Sequence, residues 1–299
     1  MKSTPTEHIS ATCLDDVTAA LADGHTSVLA GGQSLFTDSA RGVRRVVDIN
    51  RVAGFDTLAV TDGRLRIAPL VRHRTFVIGG ADGPLGRLLC LILQNMGHPP
   101  VRERGTALGS LAYAHPGAEW PVAAVLLDGE FDLVGPDGSR TVGADRFFVE
   151  PFTTVRRPEE FLAEVRLPLP PPAAGIGYAE DRPGAGCFVQ AATMAAVTVT
   201  DDVVSAAAVG LINAGPCPVR ARAAGAALIG AAFSDAAINT AAEAAADLDA
   251  PLDLVPEAQR NKRRRLIRLL TRRALTQARS RQPQLGDGKA GSACSTRRI

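Results

Sequence analysis

A chain of 299 residues, 46% of them hydrophobic, is long enough for two or three compact units with separate cores. Its 33 Lys and Arg nearly balance 31 Asp and Glu, so the formal net charge of +2 carries no global attraction to nucleic acid or acidic substrates. No run of about 18 apolar residues argues for a membrane span, and five scattered cysteines without a C-x-x-C pair argue against an iron–sulfur cluster or structural zinc in this chain. Met1–Ser10 lacks the charged and apolar regions of a secretory signal, so a cytoplasmic protein with free thiols is expected.

Near the N-terminus, Leu14, Val17 and Leu21 make a helical stripe with Thr12 as its cap, and Val28–Ala30 and Val46–Ile49 read as short strands. Residues 1–57 are therefore expected to form a small βαβ unit. Its most informative turn is Ala30-Gly31-Gly32-Gln33-Ser34-Leu35, where the strand Thr26–Ala30 should pass into a helix starting near Ser34. A glycine pair there lets backbone N–H groups approach a phosphate, and a following helix N-terminus favours negative charge. A tight strand-to-helix turn also takes Gly-Gly for geometry alone, so the turn decides nothing by itself.

Residues 58–169 read as a second, larger mixed unit. Thr61-Asp62-Gly63-Arg64 and Pro136-Asp137-Gly138-Ser139 mark turns between strands, while Leu85–Met96 and Ala118–Leu127 are helical stretches. His73 follows a strand in Leu65–Val71 and reads as a polar loop residue; His98, before Pro99-Pro100, reads as a helix-end residue meeting the terminal carbonyls. About 70 residues beyond the first turn comes a second glycine-bearing loop, Val101 to Ala112, followed by Ala114-His115-Pro116 and Glu119-Trp120-Pro121. Two such loops can grip the two phosphates of a dinucleotide, with Arg102, Arg104 or Ser110 adding charge or hydroxyl contacts. His115, an imidazole charged below about pH 6.5 when unperturbed, is the candidate for a cofactor, substrate or catalytic role. No Ser/His/Asp arrangement and no metal-ligand spacing is present.

Pro168 and Pro170–Pro172 form a stiff linker into a third unit over 173–281. There Phe188–Thr200 and Val203–Ile212 make a hairpin through Asp201-Asp202, and helices follow around Val219–Gly230, Asp235–Leu248 and Glu257–Arg279. Trp120 and Phe188 read most simply as core. Between Arg260 and Arg281 lie ten Lys or Arg and no Asp or Glu, with Leu266, Leu269, Leu270 and Leu275 at helical spacing. A solvated amphipathic helix, a basic docking surface for a partner, and nucleic-acid or membrane-surface binding all answer that pattern; the lack of interleaved aromatics weighs against single strands. The tail, 282–299, is polar and glycine-rich and predicted to be disordered.

Taken together, Ala30 to Leu35, then Val47-Asp48-Ile49, then Val101 to Pro121 resemble the FAD-binding medium subunit of the molybdenum hydroxylases, the group of carbon monoxide dehydrogenase and the bacterial xanthine dehydrogenase-like enzymes. That family shows A-G-G-x-S/D-L, a strand reading I-D-L, and I-R-N-R-G-T-I-G-G-N-L-A-x-A-D-P-x-A-E-x-P. Ile67–His73, Pro158–Pro168 and Arg272–Leu275 extend the likeness, which runs from about residue 10 to about residue 280.

The resemblance implies an α+β chain: an FAD-binding fold of two α/β subdomains, then a C-terminal domain of small antiparallel sheet and helices. It implies FAD held by Ala30, Gly31, Gly32, Gln33, Ser34 and Leu35, with Thr106, Gly109 and Ser110 completing the grip. It places His115 beside that loop and Phe188 near the flavin, and leaves Asp48 supporting its strand end. It implies an oxidoreductase subunit that relays electrons from iron–sulfur and molybdenum partners to NAD, oxygen or a quinone, with neither nucleic acid nor membrane as partner. Departures from the pattern are Leu108 for a glycine, Ser110 for asparagine, His115 for aspartate, Glu103 for asparagine and Lys262 for tyrosine. A Cβ at Leu108 predicts about 1 to 3 kcal/mol of strain if a positive φ is kept. The alternative these departures open is a stand-alone enzyme on the same scaffold, either an FAD-dependent oxidase or dehydrogenase or a non-redox acid/base catalyst acting on a small molecule.

Overall fold

A computed structural model describes residues 7–36, 43–77 and 82–282. In chain order, β1 (Glu7–Ser10), α1 (Leu14–Leu21), β2 (Thr26–Leu29) and β3 (Arg45–Asp48) come first. They are followed by β4 (Leu58–Thr61), β5 (Arg64–Ile67), α2 (His73–Val77), α3 (Gly83–Leu93), α4 (Pro99–Arg104), α5 (Ala107–Tyr113) and α6 (Glu119–Leu126). Next are β6 (Glu130–Gly135), β7 (Gly138–Gly143), α7 (Ala144–Phe147), β8 (Phe148–Glu150), β9 (Thr153–Thr154) and β10 (Phe161–Pro168). The remainder is β11 (Gly175–Asp181), β12 (Ala191–Thr200), β13 (Val203–Ile212), β14 (Val219–Arg220), α8 (Arg222–Ala226), α9 (Asp235–Ala244) and α10 (Glu257–Ser280). A π-helical turn, Ala245–Asp249, extends α9.

These elements form two compact units that interleave along the chain. The first takes the described residues up to Thr75 with His98–His115 and Asp128–Pro168; the second takes the described residues of Phe76–Gly97, Pro116–Leu127 and everything from Leu169. The helices expected at Leu85–Met96 and Ala118–Leu127 are present as α3 and α6, and both belong to the second unit.

In the first unit, β1, β3 and β2 make a parallel sheet in that order. Its edge strand β1 carries no apolar alternation, and sequence reading missed it. Helix α1 has its N-cap at Cys13, one residue later than expected, because the Asp16 carboxylate accepts from the backbone N–H of Thr12 at 2.8 Å and of Cys13 at 3.2 Å. Thr12 supplies its hydroxyl to the same carboxylate at 2.8 Å, a donor rather than the cap. Val17, Leu21, Val47, Ile49, Leu70 and Phe161 form one core there. A five-stranded antiparallel sheet, order β4-β5-β10-β6-β7, completes the unit. Its first hairpin closes as expected at Asp62-Gly63, with φ of 52° and 69°, the pair of left-handed residues that matches strand twist.

The second unit is built on the antiparallel sheet β11-β12-β13-β14. The β12–β13 hairpin turns through Asp201 (φ 51°) and Asp202 (φ 63°), where short polar side chains tolerate the left-handed region. Val219–Arg220, expected to open a helix, instead pairs with Gly210–Leu211, so the helix shortens to α8. Glycines set how closely helices approach the sheet. A Cβ on Gly177 would lie 1.8 Å from the Ala274 carbonyl and one on Gly175 2.1 Å from that of Ala278, so α10 rests directly on the β11 backbone. On the opposite face, a Cβ on Gly210 would meet Val122 of α6 at 2.7 Å. Trp120 is fully buried and packs edge-on against Phe76, centroids 5.0 Å apart. Among the described residues, no helix is long and apolar enough to cross a membrane. Met1–Thr6 and the tail from Pro283 lie outside the described residues.

The Gly177 contact yields a direct test. Gly177→Ala should force α10 off the sheet and lower stability by about 2 to 4 kcal/mol, read as a lower urea midpoint, whereas Gly184→Ala, whose Cβ would meet nothing within 4 Å, should change it little.

Candidate functional site

The first unit brings the two glycine loops together. A Cβ on Gly31 would lie 2.2 Å from the Arg104 carbonyl oxygen and 2.9 Å from Gly105 Cα, so the chain passes there only as glycine. Gly32 follows with φ 70°, a second position that favours glycine. Residues 33–36 are turn, and no helix begins at Ser34 among the described residues; any helix over 37–42 lies outside them. The donors of this turn are backbone: the N–H groups of Gly31, Gly32 and Gln33 have no acceptor among the described residues.

Side chains brace the turn from behind. Asn50 Nδ2 donates to the Ala30 carbonyl at 2.9 Å and to Asp48 Oδ1 at 2.7 Å, and Asn50 Oδ1 accepts from Arg72 Nη2 at 2.6 Å. Arg72 Nη1 donates onward to the Arg104 carbonyl. Asp48, Asn50, Arg72 and the backbone of both loops are thus one hydrogen-bonded frame. Asp48 supports the end of β3, as expected, and also accepts from the Asn50 N–H at 2.9 Å. Sequence reading missed Asn50 and Arg72. Their signal was position: Asn50 stands two residues past β3 and Arg72 next to the end of the run Ile67–His73.

The second loop is anchored differently. Thr106 caps α5, its Oγ1 accepting from the Gly109 N–H at 3.0 Å, and a Cβ on Gly109 would sit 2.7 Å from that same oxygen. Ser110 lies one turn in, half-buried. Leu108 is helical and buried within α5, and it is absent from the positive-φ positions, so the strain expected of it does not exist. The glycine it replaces is not needed for backbone conformation here.

His73, expected in a polar loop, opens α2 and is buried, its N–H donating to the Gly105 carbonyl at 3.0 Å. Burial, then the nearby Arg102 and Arg72 guanidiniums, push its imidazole down to about 3, so it is neutral and structural. His98 caps the start of α4 rather than closing a helix; its carbonyl accepts from Val101 and Arg102 at 2.9 and 3.2 Å, since Pro99 can only open a helix. His115 stands past the far end of α5 from Thr106, about 10 Å of helix away. It packs edge-on to Phe152 with centroids 5.2 Å apart and stacks on Tyr113 at 6.1 Å. Burial lowers its pKa, so the charge expected below neutrality is suppressed. Phe188, expected in the core, is 51% exposed between β11 and β12, in the second unit.

Electrostatically the paired loops are cationic. Arg72, Arg102 and Arg104 cluster there, while Arg74 is paired with Glu103 at 2.8 Å. Burial, then Arg104 and Arg74, lower the Arg72 pKa, the mark of crowded positive charge. Unaccepted backbone donors at a glycine turn, beside a crowd of guanidiniums, fit a pyrophosphate and hence FAD.

The FAD-binding domain in molybdopterin dehydrogenases is the family whose model matches residues 4–170. The chain belongs to this family. The CO dehydrogenase flavoprotein C-terminal domain matches residues 178–278. The chain is 32% identical to the nicotine 6-hydroxylase medium subunit of Paenarthrobacter nicotinovorans over 54% of its own length, spanning 58% of that relative. It is 27% identical to the carbon monoxide dehydrogenase medium chain of Hydrogenophaga pseudoflava, over 76% of this chain and 80% of that one. A solved structure of carbon monoxide dehydrogenase from Hydrogenophaga pseudoflava superposes with a TM-score of 0.87 at 26% identity, covering 95% of this chain and all of that chain. The α+β fold with a C-terminal sheet-and-helix domain is therefore the medium-subunit fold, the cofactor is FAD, and the chain is a subunit of a molybdenum hydroxylase-type oxidoreductase.

The second unit of this FAD subunit holds a buried polar cluster that composition conceals. Arg182 Nη2 donates to Glu119 Oε1 and to Glu180 Oε2, both at 2.7 Å, and its Nη1 holds the Cys187 carbonyl. Tyr178 donates its hydroxyl to Glu180 at 2.7 Å, and Asn95 Nδ2 adds a donor at 3.1 Å. A buried carboxylate, Glu119, and a partly buried one, Glu180, share one guanidinium. Burial pushes the Glu119 carboxyl up from 4.5 to about 7, whereas the donors of Arg182 and Tyr178 outweigh burial at Glu180 and lower it.

Two outcomes follow. Leu108→Gly should cost about 3 to 5 kcal/mol in chemical denaturation and leave FAD affinity no better, because it removes buried helical volume rather than strain. Between pH 4.5 and about 7 the folded chain keeps a proton on Glu119 that the unfolded chain releases, so stability should fall as pH rises through that window. Urea midpoints across the window should lose this slope in Glu119→Gln.

Proposed function

We propose that this subunit relays electrons from an iron–sulfur and molybdenum partner to NAD, oxygen or a quinone. The observation that carries the reading is the closure of the two glycine loops, Gly31 against Arg104, around unaccepted backbone donors. Bound FAD supplies the acceptance of electrons singly and their release singly or as a hydride. The chain's own residues do the rest. Gly31, Gly32 and Gln33 donate backbone N–H groups to the pyrophosphate, and Arg72, Arg102 and Arg104 offset its charge.

Ala30, Ser34 and Leu35 shape the turn, Thr106 and Gly109 fix the second loop, and Ser110 offers a hydroxyl. Asn50 and Arg72 orient the turn without touching the cofactor's reactive ring. Phe188 stays a flavin contact on its motif alone, and His115, neutral and aromatic-packed, is proposed as a wall of the site rather than an acid or base. Iron–sulfur and molybdenum partners are proposed because the similar proteins named above are a medium subunit and a medium chain. Leu108 was one of the four departures, with Ser110, His115 and Lys262, behind the stand-alone alternative, and its helical setting removes that one.

The chain purified alone and dialysed should be yellow and release FAD on denaturation. Gly31→Ala should weaken FAD retention by on the order of 100-fold or more while the circular dichroism spectrum is kept, since the added methyl parts the two loops. A colourless wild-type chain that added FAD does not restore would sink the proposal.

A further inference from the structure

The basic helix α10 divides its cations into two sets. Arg260, Arg263 and Arg281 donate to the carbonyls of Val255, Asn213 and Ile176, and Arg264, Arg268 and Arg279 pair with Asp247, Glu243 or Asp235. These six are consumed inside the second unit. Lys262, Arg265, Arg272 and Arg273 are exposed, and their side chains have no hydrogen bond or ion pair among the described residues. They lie on the outward face at helical spacing, with Leu269, 41% exposed, at their centre. Leu248, 74% exposed, follows Asp247, whose carboxylate holds Arg264 and Arg268.

Such a face is costly for the isolated chain. Like charges three and four residues apart on a helix repel, and an ordinary solvated helix intersperses Glu or Asp to relieve this. Here no acid occurs from Asn261 to Arg281, although the whole chain is nearly neutral. The internal salt bridges show that cations needed for folding find partners; these four do not need one to fold.

We infer that the outward face of α10 is a docking surface for an acidic amphipathic helix of a partner protein, with Leu269 as its apolar contact. The face from Lys262 to Arg273 spans about three turns, about 17 Å of helix, and a partner helix carrying Glu or Asp every three or four residues matches it in charge. A second copy of this chain would oppose cation to cation. The chain's own tail does not serve, since Asp287 is outnumbered there by Lys289, Arg297 and Arg298. Membrane insertion asks for a broad apolar face and single-strand binding for stacking aromatics, and the stripe has neither. This inference does not depend on the electron-relay reading.

The test uses the full chain and a fluorescein-labelled helical peptide whose central three turns, about 17 Å, carry Glu on one face around a central Leu, its Kd read by anisotropy at about 50 and about 300 mM salt. The triple variant Arg265→Glu, Arg272→Glu, Arg273→Glu should weaken binding on the order of 100-fold, and Leu269→Ala about tenfold at both salt concentrations. All three arginines and Leu269 are exposed, so melting temperatures should match wild type; Arg272→Ala with Arg273→Ala gives a milder second variant, expected to weaken binding about tenfold. Peptide binding indifferent to Leu269 or to the charge reversals would overturn the inference. So would tighter binding to duplex DNA or to phosphatidylserine vesicles than to the peptide.

Discussion

A backbone-on-backbone contact governs the first unit. Gly31 meets the Arg104 carbonyl with no room for a methyl group, and that closeness makes one surface out of two loops about 70 residues apart. Asn50 and Arg72 hold the contact by hydrogen bonds that reach both loops, so the turn is oriented by the ends of β3 and the Ile67–His73 run rather than by its own residues. Among the described residues, the backbone donors of Gly31, Gly32 and Gln33 have no acceptor, while Asn50 and Arg72 bond to carbonyls and to one another. A flavin subunit needs that economy: the cofactor's diphosphate must be gripped without a mobile side chain that salt or pH would loosen.

The second unit repeats the device for packing. Gly175 and Gly177 let α10 lie on β11, and the helix meets the sheet through Ala274 and Ala278. The same close approach leaves α10 with one face buried in small residues and another facing solvent. Its cations divide accordingly, those beside acids and carbonyls becoming structural and those on the outer face having no side-chain partner among the described residues. On the other side of the sheet, Glu119, Glu180 and Arg182 form a buried charge cluster that depends on Tyr178 and Asn95 for its remaining hydrogen bonds. Removing one member would leave an unpaired charge away from water, so the cluster ties α6, α3 and β11 into one register.

Where sequence reading succeeded, the signal was local. Asp62-Gly63 and Asp201-Asp202 specify tight hairpins because left-handed φ pairs admit few residue types, and both turns formed as expected. The Ala30–Leu35 turn stood out because two adjacent glycines interrupt an apolar strand. It failed where a neighbour distant in sequence sets the environment. Leu108 looked strained only while the motif's glycine was taken to need a positive φ, and the helix that Thr106 caps made that moot. His73 was read as a loop residue, yet Gly105 covers it; Phe188 was read as core, yet its loop leaves it half in water. Asn50 and Arg72 had no motif to announce them, since their roles are defined by carbonyls 20 and 32 residues away.

The sequence by itself determined the two glycine turns, the Asp62-Gly63 and Asp201-Asp202 hairpins, and the excess of cations in the last helix. Those follow from residue type, spacing and periodicity, which act over a few residues. Only the tertiary structure decided which glycine is sterically obligatory, which histidines are buried and neutral, which of the ten cations are already paired, and that Arg182 joins two carboxylates. Each of those is a property of contacts between segments far apart in the chain, where desolvation and hydrogen-bond geometry, not local propensity, set the outcome.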